Sequence, residues 1–353
     1  MENIIGQNLQ YFRELAKFKK NELARLIPCD VSLITRYENS ERQPTLKILI
    51  RISEIFNISL DRLISEQNND YQLSARGSGK STKEEAQEIL NLKQIAEDFL
   101  EIMKNVSLNT EYQGSKYSEY QPVHIIDIKR NMELSNPINY EEMKTALRSN
   151  WNIQIFELPL KTRNISGITF NFGNQYIVFI NKGHTEERKL FSLIHELCHI
   201  VYHLDKKQYL ISRLSSRDPL EKEANKFAEE FLIPSEKLSS EFKLEKLHSL
   251  KQEYISELAG KFNVSPECMF KDLNRKGLVQ YHWQSYRPVT NYNKEYNLEW
   301  NWKDLPYLYV FGVFYNWKLE KISMTRAAKY LYSDVRTISN LFKEFDEKTE
   351  KAS

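Results

Sequence analysis

Apolar residues recur at helical spacing from the start of the chain. Leu9, Phe12 and Leu15 mark one helix, and Leu23, Ala24 and Leu26 a second that stops near Pro28. Asp30 is placed to cap a third helix running through Ile34 and Tyr37. Pro44 and Thr45 open a fourth, with Leu46, Leu49, Ile52 and Phe56 on one face, and Ser59 to Leu63 closes the group with a last turn. The pattern then fades over residues 65–83 and returns in residues 84–103, where Ile89, Leu92, Ile95, Phe99 and Ile102 form one stripe. That helix is expected to pack on the domain that follows or to pair with its copy in a dimer.

Alternation replaces the helical period in residues 153–158, 167–172 and 176–181, and Gly173-Asn174 makes the last two a hairpin. Helical spacing resumes through Leu190 and Ile194 to Val201. A further helix starts at Asp218-Pro219, with Leu220, Ala224, Phe227, Ala228 and Phe231 as its buried stripe. Ile255 to Leu273 reads as two more helices. Residues 322–331 and 335–338 have a helix-turn-helix cadence with Asp334 near the second start, although a pair of helices packed on the preceding domain is the simpler reading. The fold class is α+β and mostly helical. The expected division is an all-α five-helix domain at 1–65, a linker and helix at 66–105, a mixed domain with a small sheet at 106–278, and a helical region at 279–353.

Bulk properties narrow the function. Lys plus Arg total 50 against 48 acids, so any contact with nucleic acid must come from a local surface rather than a global field. Three widely spaced cysteines, Cys29, Cys198 and Cys268, exclude a disulfide framework and suit a reducing, cytoplasmic compartment. No apolar run is long enough to cross a membrane, and no leader pattern opens the chain. Gly77-Ser78-Gly79-Lys80-Ser81-Thr82 imitates a phosphate-binding loop. Ser74 stands where its first glycine belongs and no strand precedes it, so it reads as linker.

The densest chemistry lies in His195-Glu196-Leu197-Cys198-His199. Histidines four apart share a helix face and can hold one zinc ion, and the adjacent Glu196 can take a proton from water there. Ile194, Leu197, Ile200 and Val201 make the helix buried, so unpartnered polar groups would be costly on it. A third ligand is needed, and Glu221 and Glu223 flank the stripe of the downstream helix at similar angles. Spacing alone leaves that choice open. A small sheet beside such a helix is the zincin plan, and residues 176–180 are the candidate edge strand for substrate backbone.

Arg188 and Phe191 ahead of the motif, His203 after it, Glu221 to Ala228, and the exit Phe231-Leu232-Ile233-Pro234 resemble the ImmA/IrrE metallopeptidases over roughly residues 140–275. The resemblance implies a zinc cofactor, Glu196 as the catalytic carboxylate, and His195, His199 and Glu223 as ligands. It also implies that Asn225 orients a ligand or substrate carbonyl. His203 is expected beside the ligand set, and Cys198 in the core.

Leu23-Ala24, Tyr37-Glu38, Pro44 and the run Asn57 to Leu63 resemble the Xre/Cro helix-turn-helix repressors. That resemblance implies that Val31, Ser32, Leu33 and Arg36 face the major groove of a double-stranded operator, with Lys20 near its backbone. Together the two resemblances imply a DNA-binding zinc endopeptidase that regulates transcription by cutting a repressor protein, or itself within residues 65–83, in a cytoplasmic and homodimeric setting. The competing reading is a non-proteolytic regulator or antitoxin with a structural or sensory zinc.

Overall fold

The structure is a computed structural model. It describes all residues except 1–3, 57, 59, 65–81, 107–109, 163–164, 205–208, 214–217, 244–250, 280–300 and 353. Most of the polar segment 65–83, with its glycine-lysine run and expected self-cleavage site, therefore lies outside the described residues. The chain divides into two compact units, Met1–Glu101 and Ile102–Ser353.

In the first unit the expected helices form: α1 (Ile4–Leu15), α2 (Lys20–Leu26), α3 (Val31–Glu38), α4 (Leu46–Phe56) and α5 (Leu60–Ile64). Leu9, Phe12, Leu23, Ile34, Ile52 and Phe56 make its core and are almost wholly buried. Asn8 Nδ2 donates to the carbonyls of Arg62 and Leu63, tying α1 to α5. The Arg13 guanidinium meets the buried Glu38 carboxylate at 2.5 Å and so locks α1 to the end of α3. A charge pair this enclosed costs several kcal/mol when one partner is removed.

The expected helix of residues 84–103 forms as α6 (Lys83–Met103). Its first half docks on the five-helix core. Leu90 joins that core, Gln87 Nε2 donates to the Phe56 carbonyl at 2.8 Å, and Lys93 Nζ donates to the Tyr11 hydroxyl at 3.0 Å. The stripe named from sequence is buried as read, and Leu90, which was not part of it, packs on the five-helix core.

The second unit opens with α7 (Val123–Asn131) and α8 (Tyr140–Trp151). Asn139 caps α8 by accepting from the Glu142 N–H, and Asn152 ends it in the left-handed region at φ 55°. Four strands follow the order β1-β3-β2-β4: β1 (Gln154–Leu158), β2 (Ile165–Asn171), β3 (Tyr176–Asn181) and β4 (Tyr209–Arg213). β2 and β3 form the expected antiparallel hairpin, turned at Gly173 with φ 75°. β1 runs parallel to β3, and β4 pairs antiparallel with β2. Strand β3 is therefore interior and hydrogen-bonded on both sides, which corrects the expectation that residues 176–180 form an edge open to substrate. Its fully buried pattern reflects two covering layers, not a free edge.

On the sheet lies α9 (Glu186–Cys198), continued by a wider π-type turn at His199–His203 that is closed by Leu204 N–H donating to the His199 carbonyl. Lys116 Nζ takes the Ile200 carbonyl of that turn at 2.6 Å. Next come α10 (Pro219–Leu232), α11 (Ser235–Glu241), α12 (Lys251–Lys261) and α13 (Pro266–Arg275), and one apolar core joins α8, the sheet, α9, α10, α12 and α13. After a short 3-10 turn at Trp302–Asp304 the chain ends in α14 (Tyr307–Lys318), α15 (Met324–Tyr330) and α16 (Val335–Ala352). Among the described residues no helix is long and apolar enough to cross a membrane.

Candidate metal centre

Helix α9 is nearly all buried, so its polar side chains survive only where neighbours satisfy them. Those neighbours come from α10. Asp218 caps α10 by accepting from the Leu220 N–H, and Pro219 fixes its first turn. Its inward face then carries Glu221, Ala224, Phe227, Ala228 and Phe231. Glu221 sits on that face near the helix start, and its carboxylate reaches His199 Nε2 at 3.1 Å and His195 Nε2 at 3.4 Å. The two Nε2 atoms are 3.1 Å apart. His195, His199 and Glu221 are all buried and offer ligand atoms within 4.8 Å of one another.

This arrangement corrects the assignment of Glu223 drawn from resemblance. Two residues on a helix are separated by about 200° of rotation, so once Glu221 turns inward Glu223 cannot. Glu223 is instead partly exposed, and its Oε1 lies 3.0 Å from His203 Nε2. His203 does not join the ligand cluster; its Nδ1 lies 2.8 Å from Nδ1 of His199. Asn225, one turn beyond Glu221, holds His195 Nδ1 at 3.0 Å through Oδ1.

With neutral rings these contacts give one consistent set of tautomers. A carboxylate only accepts, so a neutral His203 carries its proton on Nε2 toward Glu223, leaving Nδ1 to accept from His199 Nδ1–H. His195 donates from Nδ1 to the Asn225 oxygen in the same way. Both Nε2 atoms are then bare lone pairs, aimed at each other and at a carboxylate whose Oε2 has no hydrogen-bond partner among the described residues. Three electron-rich groups converging in a buried pocket suit a divalent cation, and a His-His-Glu donor set matches zinc. The titration direction of His199 agrees. Burial, chiefly, brings His199 down to about 4, so its ring is neutral.

Glu196 is fully buried and turns toward the sheet, where Thr169 Oγ1 donates to its Oε2 at 2.5 Å. A Cβ on Gly167 would lie 2.6 Å from Glu196 Oε1, so a side chain on that strand position would collide with the carboxylate. Neither Gly167 nor Thr169 belongs to a recognisable motif. Only the strand register, which puts positions 167 and 169 on one face, would have pointed to them. Cys198 is buried among apolar residues of the core, and burial raises its thiol pKa well above the ordinary range.

In the first unit, Val31, Ser32 and Arg36 are exposed along α3, as a reading helix requires. Leu33 is only half exposed and packs against the core. Lys20 is drawn inward, with Nζ 3.2 Å from Glu38 Oε2 and 3.4 Å from Thr35 Oγ1. Its placement on a DNA backbone is therefore in competition with an ion pair already made.

Comparison with known proteins agrees with both units. The helix-turn-helix family profile matches residues 9–63, and the IrrE N-terminal-like domain of peptidase family M78 matches residues 148–274. An uncharacterized HTH-type transcriptional regulator of Bacillus subtilis (strain 168), YqaE, is 30% identical over 88 residues, which is 25% of this chain and 68% of that protein. No solved structure gives a significant match. The chain thus belongs to the HTH-type transcriptional regulators and carries, in its second unit, a domain of the IrrE N-terminal-like peptidase family.

Proposed function

We propose that the protein is a DNA-binding, zinc-dependent endopeptidase that regulates transcription by cutting a repressor protein or itself. The observation that carries this reading is the convergence of two bare imidazole nitrogens and a buried carboxylate beside Glu196. His195, His199 and Glu221 would hold the ion. Zinc in such a three-residue site acts as a Lewis acid and brings the pKa of water there to roughly 7.

The remaining chemistry belongs to the chain. Glu196 accepts a proton from water as the water oxygen bonds to the scissile carbonyl carbon, and it delivers that proton to the departing amide nitrogen as the carbon–nitrogen bond breaks. Thr169 holds the carboxylate by one oxygen, which sets its direction before substrate arrives. Asn225 and the His203–Glu223 pair fix the two ring orientations, and such partners are typically worth about 10–100-fold in metal affinity or activity. Fusion to a helix-turn-helix unit raises the effective concentration of the peptidase near proteins bound at the same promoter.

The test is to incubate the purified protein with proteins encoded by neighbouring genes, with and without chelator, beside the Glu196→Gln variant. The expected result is zinc-dependent fragmentation by the wild type and none by a variant that still binds zinc stoichiometrically. If Glu196→Gln leaves promoter control and every candidate protein's integrity unchanged relative to wild type, the protein is a regulator with a structural zinc.

A further inference from the structure

The C-terminal helices repeat the geometry of the N-terminal DNA-binding unit at a constant separation of 304 positions. Helix α2 spans seven residues from Lys20, and α15 spans seven from Met324. Helix α3 begins at Val31, and α16 begins at Val335. The same two hydrogen bonds close both turns. Ile27 N–H donates to Leu23 O at 2.9 Å, as Leu331 N–H does to Ala327 O at 3.0 Å. Cys29 N–H donates to Ala24 O at 3.2 Å, as Ser333 N–H does to Ala328 O at 3.0 Å.

Burial follows the same register. Ala24 and Ala328, Ile27 and Leu331, Ile34 and Ile338, and Tyr37 and Leu341 are all buried, each pair 304 positions apart. Asp30 and Asp334 precede the second helices. Asp334 accepts from the Thr337 N–H at 2.9 Å and from its hydroxyl at 2.6 Å, which secures the start of α16. A twelve-residue helix precedes each pair, α1 in the first case and α14 in the second. Phe314 and Trp317 of α14 pack on Phe342 of α16, with ring centroids 5.3 and 5.1 Å away.

We propose that α15 and α16 form a second helix-turn-helix that reads double-stranded DNA. Side-chain chemistry separates this from a pair of packed helices. Residues 321–343 carry five bases, Lys321, Arg326, Lys329, Arg336 and Lys343, against the single acid Asp334. The corresponding residues 17–39 of the N-terminal unit carry five bases against three acids, so the second copy is the more positive. On α16 the positions equivalent to Ser32 and Arg36 are Arg336 and Asn340, both exposed. The side chains of Arg336, Asn340 and Lys343 make no hydrogen bond or ion pair with any other described residue. Arginine to guanine and asparagine to adenine are the two commonest bidentate readings of the major groove, and a lysine one turn on meets phosphate. Val335, 45% exposed at the helix start, can meet a thymine methyl group.

The test uses the full-length protein and a pool of random-sequence duplexes. Wild type is expected to enrich sequences holding two conserved blocks. R336A/N340A, both surface changes, should lose one block and bind the wild-type selected duplex at least tenfold more weakly. Arg36→Ala should lose the other block. Circular dichroism identical to wild type confirms that the substituted helices are intact. The inference is overturned if R336A/N340A enriches the same sequences with unchanged affinity, in which case α16 contacts protein or packs only. It is equally overturned if wild type yields a single block that Arg36→Ala alone removes, or if it enriches no duplex. None of these outcomes depends on the metal centre or on peptide cleavage.

Discussion

The identity of the third ligand is decided by one residue's rotation on α10. Glu221 is 5% exposed and faces both imidazoles, whereas the Glu223 carboxylate is partly in solvent and serves His203. The two glutamates therefore predict different phenotypes. Glu221→Gln replaces a charged ligand with a neutral amide and should abolish stoichiometric zinc binding. Glu223→Gln keeps the ligands but weakens the proton acceptor behind His203, and should lower zinc affinity by about 10–100-fold without emptying the site at saturating metal. Metal analysis after dialysis, with competition against a chromogenic chelator, separates the two. If Glu223→Gln empties the site while Glu221→Gln does not, the ligand assignment is reversed. The ambiguity was inherent in the sequence. Glu221 and Glu223 flank the apolar stripe of α10 almost symmetrically, and only the approach angle of α9 breaks the tie. His203 lies beside the ligand set as expected, on a widened turn that brings its Nδ1 to 2.8 Å from Nδ1 of His199.

At the scale of elements, periodicity told what is buried but not who pairs with whom. The helices of the first unit, the cap at Asp218 and the β2–β3 hairpin were all legible, because each rests on local chemistry: spacing, a capping side chain, a glycine at positive φ. The interior place of β3 was not, since strand order depends on which chain segments meet across the sheet. The close fit of β2 to α9 was equally silent, yet it yields a prediction. Gly167→Ala puts a methyl group 2.6 Å from Glu196 Oε1. The atom displaced is the end of a flexible side chain, so the fold should lose little, about 1 kcal/mol or less. The carboxylate must leave its position beside Thr169, however, and cleavage should fall at least tenfold with zinc content unchanged. Equal loss of melting temperature and zinc would show that Gly167 serves only packing.

For the whole molecule, the sequence revealed two resemblances in order along the chain, and the compact units Met1–Glu101 and Ile102–Ser353 each hold one of them. The candidate metal ligands all lie in the second unit. All five tryptophans, from Trp151 to Trp317, belong to the second unit, so their fluorescence follows that unit alone, whereas circular dichroism follows both. Bound metal at about 100 times its Kd stabilises the folded state by about 2.7 kcal/mol. For a unit of this size that corresponds to roughly 5–10 °C in melting temperature. Chelation should therefore lower the tryptophan-detected midpoint by that amount, because it removes the cation on which the buried Glu221 carboxylate and the His195 and His199 rings converge. The part of the circular dichroism transition that has no fluorescence counterpart belongs to the first unit and should stay where it is. Glu221→Gln should make the fluorescence midpoint indifferent to chelator. A tryptophan transition that chelator does not move in the wild type would mean that His195, His199 and Glu221 hold no structural stake in a metal ion.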